Sequence, residues 1–287
     1  MSEAEALARA FLDAGVRAGG VLLVHSSLSS LAPPSGAPPA PDTVLDALLL
    51  ALGPQGTLLI PTLSYLFVSP EQPVFDARTT PTNLGAIPAA ALRRPGAVRS
   101  LHPTHSVCAL GARAAELTRG HALDTTPVGP RSPFCLVRAH GGQIAFLGCG
   151  SRCNTSIHGV EETVQPAPPP YLLLPAKVAY TVVDAAGEAR TVQHSRHNFA
   201  GVGQRYERLA GLVPSGAYRK TPMGRGFFEL YEAAALWDTA LEVITKDPAA
   251  LVHVCGDDED EGHYLKRGGS DEVPFYSYTV GKCAGNK

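Results

Sequence analysis

Three short, uninterrupted apolar runs constrain this chain more than any other feature: Val21-Leu-Leu-Val-His25, Gly56-Thr-Leu-Leu-Ile-Pro-Thr62 and Gly141-Gly-Gln-Ile-Ala-Phe-Leu-Gly-Cys-Gly150. A strand without polar/apolar alternation has both faces covered, as inside a parallel sheet flanked by helices. Between the first two runs lies a helix pattern from Thr43 to Leu52, with Asp42 as its cap and Gly53-Pro54 as its stop. Strand, loop, helix and strand at these lengths make a βαβ unit, whose crossover should be right-handed. Ala4, Leu7, Ala8, Phe11, Leu12 and Val16 predict an amphipathic helix ahead of it. Further helices are expected over 85–92, from 112 to 117, and over 132–139, 200–212 and 227–245. The alternating stretch 177–194 reads as an antiparallel hairpin turning at Ala185-Ala-Gly187. The expected fold is therefore α/β: a central, largely parallel sheet flanked by helices, with an antiparallel hairpin and helices added in the C-terminal half. One domain should cover 1–255, with 175–245 as a substrate-side addition and 256–287 as an acidic tail.

Composition removes several classes of function. With 287 residues, a net charge of −2 and 7% aromatics, the chain lacks the basic excess and stacking surface of a nucleic-acid binder. No apolar run is long enough to cross a bilayer, and the acidic, amphipathic N-terminus is unlike a signal peptide, so a cytoplasmic protein is expected. The six cysteines then read as reduced rather than as a disulfide framework. Gly-rich dinucleotide and phosphate loops are missing, as is the G-x-S-x-G elbow of α/β-hydrolases.

In open parallel sheets ligands gather at the carboxyl ends of the strands. Those ends are His25-Ser26, Thr62-Leu63-Ser64-Tyr65 and Cys149-Gly150. Just past the third comes Asn154-Thr-Ser-Ile-His-Gly-Val-Glu-Glu162, where His158 and Glu161, three apart, share one helix face. An imidazole steered by a carboxylate is a workable general base; the same spacing also suits a helix-start histidine paired for stability. The Pro-rich loop 66–84 carries Asp76, able to meet a cation, and Glu71, which reads as a solvated turn carboxylate. His102-x-x-His105-x-x-Cys108, with Cys149 and Cys153, offers zinc-like residue types. Spacing of three entering a strand sends side chains to opposite faces, so no metal is expected.

The chemistry such a site suits is acyl transfer to an amine. An amine is an ammonium at neutral pH, so a base must strip its proton, and donors must steady the oxyanion on the carbonyl. His158 is the candidate base and Glu161 its orienter, with Ser26-Ser27 or Ser106-Val107 as donors.

Taken in order, several motifs resemble the aminoglycoside 3-N-acetyltransferase family, which is acetyl-CoA-dependent and distinct in fold from the GNAT acetyltransferases. They are Val24-His-Ser-Ser-Leu-Ser-Ser-Leu31, Leu52-Gly-x-x-Gly-Thr-Leu58 with Pro61-Thr62, and Phe75-Asp-x-x-x-Thr-Pro81. Then follow Arg94-Pro-Gly-Ala-Val-Arg-Ser-x-His-Pro-Thr-His-Ser-Val107, Ser132-Pro-Phe134 and Asn154-Thr-Ser-Ile-His-x-x-Glu161. The resemblance implies direct acetyl transfer from acetyl-CoA to the 3-amino group of a 2-deoxystreptamine aminoglycoside, without an acyl-cysteine, conferring antibiotic resistance; the alternatives are the same transfer to a different natural-product amine, or a CoA- or zinc-binding protein without this activity. It places the family's His and Glu on His158 and Glu161, and its CoA contacts on His25, Ser26, Ser27 and Leu28 and on His105, Ser106 and Val107. It puts substrate contacts on Asp76, Tyr65 and Asn198. The expected partners are the aminoglycoside and CoA, in a monomer or homodimer. One departure stands out: many members read H-x-A-E where this chain has His158-Gly-Val-Glu161, and a glycine after the base loosens a helix start.

Overall fold

The computed structural model describes residues 1–198 and 202–254. The expected acidic tail over 256–287, with Cys255 and Phe199, lies outside the described residues. In chain order the elements are α1 (Glu3–Asp13), β1 (Val21–Ser26), α2 (Pro41–Leu52), β2 (Thr57–Pro61), β3 (Val74–Asp76), α3 (Ala86–Ala91), β4 (Val98–Arg99), β5 (Val107–Gly111), α4 (Ala114–Thr118) and α5 (Pro133–Ala139). They continue with β6 (Gln143–Leu147), α6 (Ser156–Thr163), β7 (Val178–Val183), β8 (Ala189–His194), β9 (Val202–Gln204), β10 (Tyr218–Met223), β11 (Gly226–Glu232), α7 (Ala233–Lys246) and β12 (Val252–Val254).

The main sheet has seven strands in the order β10-β11-β6-β1-β2-β5-β4. The α/β class with a parallel core holds: β1 runs parallel to both β2 and β6, with Leu22 opposite Leu58 on one side and Gln143 on the other. Parallel pairing stops there, and the flanks β5-β4 and β11-β10 join antiparallel. The uninterrupted apolar runs are explained by two covered faces. Leu22 and Val24 point into a core with Phe11, Leu45 and Leu48 of α1 and α2. Val21 and Leu23 point the other way, to Phe134, Ile157 and Trp237 of α5, α6 and α7. Burying one such aliphatic side chain contributes about 1.5–3 kcal/mol.

Two C-terminal expectations change. Residues 227–232 are not helix but strand: Phe228 and Leu230 enter one core and Tyr231 the other, the period-two pattern of a covered strand, and helix begins at Ala233. Between 202 and 211 the chain forms β9 and a 3-10 turn over Tyr206–Gly211, burying Tyr206 and Leu209 three residues apart. Residues 218–246 therefore complete the main sheet and its helical layer rather than an addition to it. The hairpin β7-β8 forms as read, turning through Gly187 at φ +90°, and β3 adds parallel to β7 as a second sheet. No helix among the described residues is long and apolar enough to cross a membrane.

Candidate active site

The site is built where β6 gives way to α6. Gly148 sits at φ +80°, and a Cβ there would lie 2.6 Å from Ser30 Cβ, so glycine lets the chain turn against the loop after β1. A short turn over Ser151–Cys153 follows, and the Asn154 side chain accepts the Ser156 backbone N–H at 3.1 Å, starting the helix. One turn later His158 is 3% exposed, and Glu161 has no exposure at all.

The two are directly bonded, the His158 Nδ1–H donating to Glu161 Oε2 at 2.9 Å. The Tyr206 hydroxyl donates to the same oxygen at 3.0 Å and lies 3.0 Å from Nδ1. The other carboxylate oxygen is 3.0 Å from the Tyr171 hydroxyl, whose proton is also within reach of Pro248 O. With Nδ1–H committed to the carboxylate, Nε2 carries the ring's lone pair, which is the tautomer a base requires. Burial and the Glu161 carboxylate push the Tyr171 hydroxyl up, so it stays a neutral donor.

At the end of β1, His25 stacks on Phe146 with ring centroids 5.1 Å apart. Burial, with His158 nearby, lowers its pKa to about 3. His25 Nε2 and Ser26 Oγ are buried polar atoms with no hydrogen-bond partner among the described residues. Such atoms cost about 1–3 kcal/mol each, which marks this strand end as a place where a ligand or water supplies the missing bonds. Next to it, Ser27 N–H donates to Leu147 O at 2.8 Å, and its hydroxyl is 3.3 and 3.1 Å from those of Ser29 and Ser30. Leu28 begins the short turn that packs on the α1–α2 core.

The loop before β5 divides. His105 joins the site through His197, whose ring is 5.0 Å away and in turn 4.5 Å from His158; the Tyr65 ring is 6.1 Å from that of His105. Ser106 and Val107 are instead committed to the scaffold. Ser106 Oγ donates to Thr62 O at 2.8 Å and accepts from Arg99 Nε at 3.0 Å, while Val107 N–H donates to Ser100 Oγ at 2.8 Å. Asn198 follows His197 and donates its backbone N–H to Leu172 O at 2.8 Å. Asp76 sits at the end of β3, clasped by Arg78 through bonds of 3.0 and 2.7 Å; that guanidinium, above all, lowers its pKa to about 2. Glu71 is exposed and bonded to Ser69, as a turn carboxylate should be.

His102 and His105 do not point apart: their rings are 5.8 Å from each other, because 102–105 is a turn and the strand begins only at Val107. His102 Nδ1 accepts the backbone N–H groups of Thr104 and His105 at 3.2 and 2.9 Å, and Nε2–H donates to Thr126 O at 3.1 Å. Its ring also contacts His121 and His194. No group of three or more His, Cys, Asp or Glu among the described residues could hold a metal ion.

Sequence reasoning missed Tyr171, Tyr206, His197 and Glu162. Glu162 had a local signal, being next to Glu161 on the same helix, and His197 stands beside Asn198. Tyr206 meets Glu161 across 45 residues of chain, a contact with no short-range signature.

The family model described as aminoglycoside 3-N-acetyltransferase matches residues 23–245. Aminoglycoside N(3)-acetyltransferase IV from Salmonella sp is 32% identical over 248 residues, covering 84% of this chain and 87% of that protein. Aminoglycoside N(3)-acetyltransferase VII from Streptomyces paromomycinus is 34% identical over 173 residues, 54% of this chain and 58% of its own length. Among solved structures, a mutant of aminoglycoside acetyltransferase AAC(3)-IVa in complex with apramycin superposes with a TM-score of 0.66 at 29% identity, over 86% of this chain and 93% of that one. With a match from the first strand to α7, this chain belongs to the aminoglycoside 3-N-acetyltransferase family.

Proposed function

We propose that this protein transfers the acetyl group of acetyl-CoA to the 3-amino group of a 2-deoxystreptamine aminoglycoside, with His158 as general base, and thereby confers resistance to that antibiotic. The observation that carries the reading is the buried His158–Glu161 pair, its tautomer fixed by the carboxylate, at the rim of the parallel core. A relative matched over 84% of this chain is named an aminoglycoside N(3)-acetyltransferase, and a structure of AAC-IIIb with CoASH shares the fold at a TM-score of 0.71 and 23% identity. His158 Nε2 takes a proton from the attacking nitrogen, and Glu161 stabilises the imidazolium that forms. The acetyl carbonyl carbon gains a C–N bond and loses its C–S bond; the thiolate leaves with a proton from His158.

The thioester lies along the end of β1. The orphaned His25 Nε2 and Ser26 Oγ supply its missing hydrogen bonds, with Ser27, Leu28 and His105 lining the path. Ser106 and Val107 contribute by holding the strand end that presents His105. Tyr65 and Asn198 flank the histidines on the amine side. Asp76 reaches the cationic substrate by exchanging Arg78 for a substrate ammonium. The reading is tested by following free thiol release from acetyl-CoA with a panel of 2-deoxystreptamine aminoglycosides and locating the new amide by NMR. Acetylation of the 3-amine supports it; no thiol release, or acetylation of another amine, overturns it.

A further inference from the structure

Acetyl transfer to an aminoglycoside leaves a proton over. The amine enters as an ammonium, and the balance is R–NH3⁺ plus acetyl-S-CoA giving R–NH–acetyl, HS-CoA and H⁺. His158 must therefore act twice: once to free the lone pair, and once to carry the second proton from the nitrogen to the leaving thiolate. Between the two it has to be emptied, yet it is buried. We propose that the neighbouring pair His197–Glu162 takes this surplus proton from the His158 side of the site, so that α6 carries two histidine-supporting carboxylates in succession.

Several independent observations lead there. The His197 ring lies against His158, centroids 4.5 Å apart, and its Nε2 is 3.5 Å from Glu162 Oε1. Glu162 is largely enclosed: its side chain is 7% exposed, and its oxygens accept from Thr126 Oγ1 at 2.5 Å and Val128 N–H at 2.9 Å. The only ion-pair partner of this carboxylate among the described residues is His197, and only a protonated ring makes that an ion pair. A buried carboxylate held ready beside an imidazole that burial keeps neutral is a place for a proton to arrive, not a permanent salt bridge. Among the described residues, the titratable groups against the His197 ring include His158 and Glu162 from α6 and His105 from the turn before β5; His158 in turn faces Glu161, Tyr206 and His25. His197 and Glu162 thus act through His158 and are positioning residues for the proton rather than for the acyl group.

The inference rests on the transfer reading above, and the two are tested apart. His197→Gln and Glu162→Gln are compared with the unaltered protein by kcat between about pH 6.5 and 10, after acetyl-CoA affinity and thermal midpoint confirm that each variant folds. At pH 7 both variants should turn over roughly 10–100 times more slowly, less than the roughly 10²–10⁴-fold of a lost general base because His158 itself is kept. The deficit should close to within about twofold as pH rises past the pKa of the substrate amine, because a neutral amine brings no surplus proton. Added imidazole should restore part of the pH 7 rate. A deficit constant with pH and indifferent to imidazole, or variants as fast as the parent at pH 7, would overturn the assignment while leaving acetyl transfer intact. An unaltered protein that acetylates no aminoglycoside would overturn the transfer reading itself, and this inference with it.

Discussion

The buried histidines should make this fold sensitive to mild acid. Six rings (His25, His102, His105, His121, His194 and His197) have pKa values below that of a free imidazole, in each case chiefly through burial; His25 and His121 fall to about 3 and His194 to about 4. His102 shows why in atomic terms, since its Nδ1 must stay unprotonated to accept two backbone N–H groups. The sign follows from which state binds the proton. Below pH about 6.5 the unfolded chain protonates these rings while the folded one does not, so stability falls as pH drops from 6.5 toward the folded values. For each ring the loss between pH 7 and 5.5 is about 1 kcal/mol, hence about 6 kcal/mol for the set as an upper bound. Asp124 and Glu162 work in the opposite sense, because burial raises both: the folded state gains protons there, Asp124 near pH 6. Asp124 alone offsets about 1 kcal/mol and Glu162 acts in the same direction, leaving at most about 5 kcal/mol, a large part of the 5–15 kcal/mol typical of a domain. Urea unfolding followed by circular dichroism from pH 7.5 to 5.5 measures it directly, and His194→Gln should lower the pH slope by about one proton. A midpoint that stays flat over that range would refute the reasoning, since it would mean the rings are charged in the folded protein or exchange freely with water.

Three further outcomes are expected. His158→Ala should lower kcat by roughly two to four orders of magnitude with acetyl-CoA binding retained, measured by thiol release and calorimetry; near-parental turnover would remove His158 from the chemistry. Asp76→Asn should raise KM for the aminoglycoside with little change for acetyl-CoA, and an effect confined to acetyl-CoA would reverse the placement of the two ligands. Gly159→Ala should destabilise the protein by about 1–3 kcal/mol in thermal or urea unfolding, because the new Cβ would lie 2.6 Å from Cys135 Sγ and 3.0 Å from Val128 Cγ1. Adding Cys135→Ala should recover much of that loss.

What the sequence made legible were features set by local pattern. The three apolar runs announced the parallel core because a strand between two helical layers must be apolar on both faces, as Leu22 and Leu23 show by entering opposite cores. His158 and Glu161 were legible because helical spacing alone brings them together. The strand β11 was not, since Phe227 to Tyr231 followed by an alanine-rich run looks continuous until the edge of β6 claims the first part. His102 and His105 were misjudged for a related reason: their separation depends on where the turn ends and β5 begins. Gly159 was read as a weakness in the helix, yet it is the residue that lets α6 approach Cys135, Val128 and Trp237.

The choice left open by spacing, between a base with its orienter and a helix-start pair serving stability, turns on what surrounds Glu161. Burying an ion or its pair against apolar walls costs several kcal/mol, and well-packed aliphatic residues of similar size often stabilise as well or better. A pair kept for stability alone would sit at the surface, where its cost is small. Here the carboxylate has no exposure, and it engages three donor groups: the His158 ring and two tyrosine hydroxyls from segments that arrive 10 and 45 residues later. Those tyrosines hold the carboxylate aimed at one ring nitrogen, leaving the lone pair on the other. They also mean that the pair is completed only when the chain after α6 has closed over the sheet. An expensive charge fixed in one orientation by contacts that late in the chain favours chemistry over stability as the reason for it.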